Sequence, residues 1–123
     1  MNQLEVAIID WFLARLPADE AVCEQLRTAK VAAREFTAGA GAFLTLQVAK
    51  AESVAPGDQR SYIDGPEIQS PEMTSGALAT LHIERGVASS LEIWSYAGDY
   101  PHGEHPKVFV LVEPKMNLID LRG

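Results

Sequence analysis

The residues of this 123-residue chain that could do chemistry are concentrated in one short stretch, SYAGDYPHGEHP at 95–106. It holds Asp99, His102, Glu104 and His105. Histidine and carboxylate side chains are ligands for zinc or non-haem iron, and they also act as general acids and bases. The two glycines and two prolines of the stretch break regular structure, so no helix or strand would aim both imidazoles at one point. The stretch therefore favours a polar loop between two strands.

Further metal ligands and catalytic motifs are scarce in the rest of the chain. His82 is a candidate third ligand beside His102 and His105, but no His-Glu-x-x-His motif or Cys pair completes a set. The segment TAGAGAF lacks the third glycine of a dinucleotide fingerprint and the lysine of a phosphate loop, and no Gly-x-Ser-x-Gly occurs. We predict no catalytic residues, no metal and no cofactor. A metal-dependent enzyme that uses the 99–105 loop is the alternative.

Two helices and a set of strands must position this loop. Apolar residues recur with a 3.6-residue period over 2–16 and predict a helix that Pro17 ends. The segment PADEAVCEQLRTAK predicts a second helix, with Asp19 and Glu20 favouring its first turn. From Val31 the period changes to two, and VAAREFTA and FLTLQVA flank a Gly-Ala-Gly turn, which predicts a hairpin or tight strand connection.

The segment ALATLHIERGVASSLEIWSY predicts a second hairpin, whose register follows from its apolar pattern. A three-residue turn at 84–86 would align Ile83 with Val87 and Leu81 with Ser89, which makes one face almost entirely apolar. A two-residue turn would mix apolar and polar residues on each face, so we expect the three-residue turn. The opposite face then carries Thr80, His82, Glu92 and Trp94.

The remaining extended segments complete a sheet. SYIDGPEIQSP contains two prolines, which confine it to a sheet edge or a bulge. KVFVLVEP has apolar residues on both sides, which predicts a central or covered strand. We predict a single α+β domain over 1–123, with two N-terminal helices packed on one face of a mostly antiparallel sheet of five or six strands. The predicted core is Leu4, Ile8, Trp11, Phe12, Leu26, Leu44, Leu46, Leu81, Ile83, Leu91, Ile93, Val108 and Val110.

The charge of the chain is acidic and unevenly distributed. The formal net charge is −7, and the segment from Ser61 to Glu104 holds seven acids against Arg85 alone, a balance of −6. Nucleic-acid and anionic-membrane partners are disfavoured because phosphate contacts need clustered Lys and Arg. No apolar run is long enough for a membrane helix, the N-terminus lacks the basic residues of a signal peptide, and Cys23 is the only cysteine. These features predict a cytoplasmic protein.

Aromatic and acidic residues cluster where the second hairpin meets the 95–106 loop, and they are the predicted binding residues. They are Trp94, Tyr96, Asp99, Tyr100 and Glu104. Aromatic side chains beside carboxylates can form a contact surface for a cationic partner. We therefore predict a non-catalytic binding protein that engages a basic protein partner, with burial of the aromatic residues against the helices as the structural alternative. A carrier that holds a small apolar ligand between helices and sheet is a further alternative.

Two segments of the chain, AREFTAGAGAFLTLQV and IDGPEIQSPEMTSGALATLHIERGVASSLEIWSYAGDYP, resemble a family of small bacterial proteins without an established activity. The matching residues are Arg34, Glu35, Phe36, Thr37, Gly39, Phe43, Gly76, Leu81, Gly86, Leu91, Glu92, Tyr96 and Pro101. The chain departs from the family pattern at Ile93, where a glycine follows the Leu-Glu pair, and in its longer, His-containing loop. The small size of the family is similar to that of immunity and accessory proteins of bacterial toxin systems. The resemblance thus implies an immunity-like role and a toxin-like basic partner.

Overall fold

A computed structural model describes residues 1–17, 21–48 and 60–114, and it shows two helices packed with a six-stranded antiparallel sheet. The predicted α+β fold class is confirmed. The strand order across the sheet is β1-β2-β5-β4-β3-β6. The elements in chain order are α1 (Gln3–Arg15), α2 (Ala21–Arg27), β1 (Lys30–Thr37), β2 (Gly41–Gln47), β3 (Arg60–Gln69), β4 (Ala77–Glu84), β5 (Val87–Ser95) and β6 (Val110–Val112).

Helix α1 begins at a capping box. The Asn2 side chain accepts a hydrogen bond from the Glu5 backbone N–H at 3.0 Å, and the Glu5 carboxylate accepts one from the Asn2 backbone N–H at 3.0 Å. These bonds satisfy two donors that a helix N-terminus otherwise leaves unpaired. Asp19 and Glu20, predicted for the first turn of the second helix, lie outside the described residues. Neither described helix is long and apolar enough to span a bilayer.

The hydrophobic core lies between the helices and one face of the sheet. Phe12 of α1 packs directly on Gly65 at the bulge of β3, where an added Cβ would come within 2.4 Å of the Phe12 ring. This contact brings α1 close to the sheet. Nine of the predicted core residues are buried: Leu4, Ile8, Phe12, Leu26, Leu44, Leu46, Leu81, Leu91 and Ile93. Trp11 and Ile83 are only partly buried and pack against this core.

The prediction for the last strand is wrong. Val108 and Val110 are 62% and 59% exposed, so neither belongs to the core. The regular strand is limited to Val110–Val112, and it pairs only with β3 at the edge of the sheet. Phe109 and Leu111 pack against the core from this edge. The apolar residues on both sides therefore mark an edge strand with one exposed side rather than a covered central strand.

The predicted register of the second hairpin is also wrong, although its two faces are correct. Glu84 pairs with Val87 across a two-residue turn, in which both Arg85 and Gly86 have positive φ, as a type I′ turn requires. The register then shifts, because Ser89 forms a bulge in β5, and Leu81 pairs with Leu91. Without the bulge, a two-residue turn would place Leu81 opposite Ser90. With the bulge, the apolar residues Leu81 and Leu91 face each other.

Candidate functional site

The structure separates the predicted binding residues into an exposed and a buried group. Trp94 and Tyr96 are 57% and 45% exposed. Tyr100 is only 1% exposed, so its assignment to a binding surface is wrong. Its backbone N–H donates to the Gly39 carbonyl at 2.9 Å, and its hydroxyl is within 2.6 Å of His105 Nδ1. These two contacts draw the tyrosine into the core, as the structural alternative for the aromatic residues anticipated.

Tyr100 belongs to a hydrogen-bond network that links the 95–106 loop to α1. His105 Nε2 is 2.9 Å from Glu5 Oε2, and Arg34 on β1 donates two hydrogen bonds to the same carboxylate, at 2.7 and 2.8 Å. The Phe36 ring lies beside the His105 ring, with a centroid distance of 5.1 Å. We call Glu5, Arg34, Tyr100 and His105 the Glu5–His105 network. The 95–106 segment is therefore more than a polar surface loop, because His105 anchors it in the interior.

The protonation of the Glu5–His105 network follows from burial and charge. Burial alone would raise the pKa of Glu5, but hydrogen bonds from Arg34, the Asn2 backbone and His105 outweigh it and lower this pKa to about 2. Burial lowers the pKa of His105 despite the neighbouring carboxylate, and burial also raises the pKa of Tyr100. We therefore assign a neutral His105 at pH 7, which donates from Nε2 to Glu5 and accepts from the Tyr100 hydroxyl at Nδ1.

A carboxylate, an imidazole and a hydroxyl that are linked by hydrogen bonds in this order are also the components of a catalytic triad. In this chain each of the three residues, Glu5, His105 and Tyr100, is at most 5% exposed. Burial raises the pKa of Tyr100 and so keeps its hydroxyl protonated. The Tyr100 hydroxyl is therefore closed off from solvent, and the three residues link α1 to the 95–106 loop in the interior.

Asp99 and Glu104, the two acids of the predicted binding set, lie in different environments. Asp99 accepts hydrogen bonds from the Thr74 backbone N–H at 2.6 Å and from the Ser95 hydroxyl at 3.2 Å. Hydrogen bonds from the Thr74 side chain and then from its backbone are the main causes that lower the pKa of Asp99. Glu104 is exposed, and its carboxylate is 4.0 Å from Lys107 Nζ. Asp99 thus fixes the loop, and a binding role for either acid stays a prediction.

The side of the sheet opposite the helices carries aromatic and acidic side chains, arranged in rows across the strands. One row runs through paired residues of five strands: Glu35, Phe43, Glu92, Thr80 and Asp64. The row on one side contains Ala33, Thr45, Ser90, His82 and Tyr62. The row on the other side contains Thr37, Gly41, Trp94, Leu78, Glu67 and Val112. We call these three rows, with Tyr96 beside them, the open face.

Large aromatic rings project from the open face. Tyr62 is 66% exposed and Phe43 is 41% exposed, in addition to Trp94 and Tyr96. The His82 ring lies between Phe43 and Tyr62, with centroid distances of 6.5 and 6.4 Å. Aromatic side chains at this level of exposure are enriched in the central contacts of protein interfaces. The open face therefore has the composition of a contact surface.

The open face is also negatively charged. Its three rows hold four carboxylates, Glu35, Asp64, Glu67 and Glu92, and no lysine or arginine. Glu67 is only 6% exposed, and in the next row on the same side Lys30 pairs with Gln47 and Arg60 pairs with Glu84. Neighbouring polar groups orient three of the four carboxylates. The Thr80 hydroxyl donates to Asp64 at 3.1 Å, the Tyr96 hydroxyl donates to Glu67 at 3.2 Å, and His82 Nε2 is 3.0 Å from Glu92 Oε1. Burial and the Glu67 charge raise the pKa of Tyr96 to about 12, so this phenol stays a donor.

The structure does not assemble the residues of the metal alternative. His105 is engaged with Glu5 and Tyr100 in the core, His82 lies on the open face, and His102 is exposed. Within residues 1–17, 21–48 and 60–114, no three His, Cys, Asp or Glu side chains come together as metal ligands.

The carrier alternative requires a cavity between the helices and the sheet. The groove of about 470 Å³ that the structure shows lies between the 69–76 segment and residues 108–110, beside β6. This groove lies away from both helices, so it is not the cavity that the alternative predicts.

Several residues that shape these sites have no signal in the sequence beyond their place in a strand or helix. Phe43 and Tyr62 belong to the open face, but each lies in a different hairpin from Trp94, and only the strand order brings the rings together. In the sequence, Glu5 is a charged residue within an apolar predicted helix, and Arg34 is a charged residue within a predicted strand. Their pairing across 29 residues depends on the packing of α1 on the sheet.

The chain was also compared with protein-family models, curated proteins and solved structures, and none of the three comparisons finds a match.

Proposed function

We propose that this protein is a non-catalytic binding protein that engages a basic protein partner through its open face. The observation that supports the proposal most directly is the composition of this face. Three carboxylates that are at least partly exposed, Glu35, Asp64 and Glu92, lie together with four exposed aromatic rings, and no lysine or arginine lies in the same three rows. Surfaces of one charge sign accelerate association with partners of the opposite sign, and aromatic residues supply most of the affinity after docking.

The position of this face supports binding over catalysis. Regular strands carry its side chains, so the aromatic rings and carboxylates are held in a fixed pattern before a partner arrives. Such preorganisation lowers the entropic cost of association. The Glu5–His105 network, which has the residue types of a catalytic triad, lies on the other side of the sheet in the core. The chemistry of the open face is therefore complementary to a cationic protein surface.

The proposal is tested by affinity purification from the native cell with the tagged protein as bait. We expect a basic protein to be retained in a defined stoichiometry at low salt and to be released at high salt, because exposed charge pairs are screened. Glu92→Lys and Asp64→Lys should each abolish retention. The matched control is Glu24→Lys on α2, where the carboxylate is exposed but lies away from the open face.

If retention does not depend on salt or on the two open-face substitutions, the open face is not the binding surface. The same conclusion follows if Glu24→Lys abolishes retention equally. Recovery of no stoichiometric partner would contradict the proposed function itself.

A further inference from the structure

The open face has one empty position in its pattern of side chains. Phe43 pairs with Glu92, and in the neighbouring row Gly41 pairs with Trp94. Three corners of this square carry large side chains, and the fourth carries none. Gly41 has a φ of 149°, and an added Cβ would lie 1.8 Å from the Ile93 carbonyl oxygen, so the fold requires glycine here. The close approach of β2 to β5 thus keeps this corner free of a side chain.

A shallow pocket of about 140 Å³ fills the empty corner. Its lining consists of Thr37, Ala40, Gly41, Ala42, Phe43, Glu92, Ile93 and Trp94. The Phe43 and Trp94 rings project from the face beside it, and the Glu92 carboxylate lies between their rows. We call it the Gly41 pocket. Its volume suits the head group of one side chain rather than a whole small-molecule ligand.

The lining of the Gly41 pocket selects for a cation. The faces of tryptophan and phenylalanine rings attract positive charge through their quadrupoles. Glu92 adds a full negative charge, and its contact with His82 is made through Oε1. Glu35, paired with Phe43 on the adjoining strand, adds a second carboxylate beside the pocket.

The shape of the pocket distinguishes between the two basic side chains. A guanidinium is planar, can stack on an aromatic ring and donate to a carboxylate at the same time, and is less strongly hydrated than an ammonium. A lysine ammonium is a compact, strongly hydrated charge, and it loses more solvation on entering a site between rings. A shallow site bordered by two rings and a carboxylate therefore favours arginine over lysine.

We propose that the Gly41 pocket receives one arginine side chain of the basic partner, with the guanidinium stacked on Trp94 or Phe43 and paired with Glu92. This inference rests on the proposed function, because it names the group of the partner that the open face recognises.

The probe for this inference is a set of three capped tripeptides, Ac-Gly-Xaa-Gly-NH₂, with arginine, lysine or citrulline at the centre. Citrulline has nearly the shape of arginine and no charge. Binding is followed in the full chain by the NMR shifts of the Trp94 indole N–H and the backbone amides of 41–43. We expect a saturable shift with the arginine peptide in the millimolar range, a weaker response to lysine and none to citrulline.

Two variants separate the pocket from the general charge of the protein. Glu92→Gln keeps the size of the side chain and should weaken arginine-peptide binding roughly three- to fivefold, the effect of one exposed ion pair. Glu84→Gln removes an exposed carboxylate from the same hairpin outside the pocket and should leave binding unchanged. Both folds are checked by their amide spectra before titration.

Equal shifts with arginine and citrulline, equal effects of the two variants, or no saturable shift would each overturn the inference. If a basic protein is still retained by affinity purification in a manner that depends on salt and on Asp64, the open face binds without the Gly41 pocket and the proposed function stands. If neither the peptide nor a protein binds, both proposals fail.

Discussion

Replacement of Glu5 by glutamine should destabilise the fold at neutral pH and much less at acidic pH. The folded state holds the pKa of Glu5 at about 2, against 4.5 for the free side chain. At 1.36 kcal/mol per pKa unit, this shift corresponds to roughly 3 kcal/mol. Arg34, the main stabilising partner, is 39% exposed, and solvent screens part of its charge. We therefore expect Glu5→Gln to lower the free energy of unfolding at pH 7 by about 2–3 kcal/mol.

The sign of the pH dependence follows from the same shift. Because the pKa of Glu5 is lower in the folded state, the unfolded state takes up the proton first, and the stabilising contribution is present above pH 4.5. It is lost as the pH falls from 4.5 towards 2. The lowered pKa of His105 acts in the same direction below about 6.5, its ordinary value. The wild-type protein should therefore lose stability from mildly acidic pH downwards.

The assay is urea denaturation of wild type and Glu5→Gln at pH 7, 5 and 3, followed by tryptophan fluorescence. The difference between the two proteins should be similar at pH 7 and 5 and should fall by more than half at pH 3. Glu24→Gln is the matched control, since this exposed glutamate pairs with Arg27 on the surface of α2. It should change stability by less than about 0.5 kcal/mol. A difference for Glu5→Gln that is independent of pH would refute the assigned ionisation of the network.

Two further changes test the interior. Gln25→Ala should lower the free energy of unfolding by about 1–3 kcal/mol. The buried Gln25 amide accepts from the Ala88 N–H at 2.7 Å and donates to the Gly86 carbonyl at 3.0 Å, and both bonds would be lost. A loss below the resolution of urea denaturation would show that water replaces these bonds. Leu81→Ala, at a fully buried position, should lower the free energy of unfolding by about 2–5 kcal/mol. Val108→Ala, at a position that is 62% exposed, should change it little, and equal losses in urea denaturation would contradict the difference in burial between the two residues.

Periodicity predicted most of the fold because each element has a regular apolar side. Both helices, the two hairpins and the division of β4 and β5 into a buried and an open side follow from spacings of 3.6 and 2 residues. The register of the second hairpin could not be predicted in this way. A shift of two residues leaves every side chain on the same face, so the apolar pattern is equally satisfied. The bulge at Ser89 decided between the registers, and bulges have no periodic signal.

The binding residues illustrate a second limit. Trp94 and Tyr96 are exposed and Tyr100 is buried, although the three lie within seven positions of the chain. Local composition does not record which way a loop residue turns. The direction of Tyr100 is set by His105 and by the Gly39 carbonyl, two partners that lie far from each other in the sequence and meet in the folded sheet. Phe43 and Tyr62 could not be assigned to the open face from the sequence for the same reason, because the strand order is needed to place them beside Trp94.

The contact between Glu5 and His105 has a consequence for the synthesis of the chain. The two residues are separated by 100 positions, so α1 emerges from the ribosome long before the group that closes on it. At elongation rates of about 5–20 residues per second, the interval is roughly 5–20 s. During that time the apolar side of α1, with Leu4, Ile8 and Phe12, has no completed sheet to cover it. The fold can therefore cover this side of α1 completely only after the sheet and the 95–106 segment have left the ribosome.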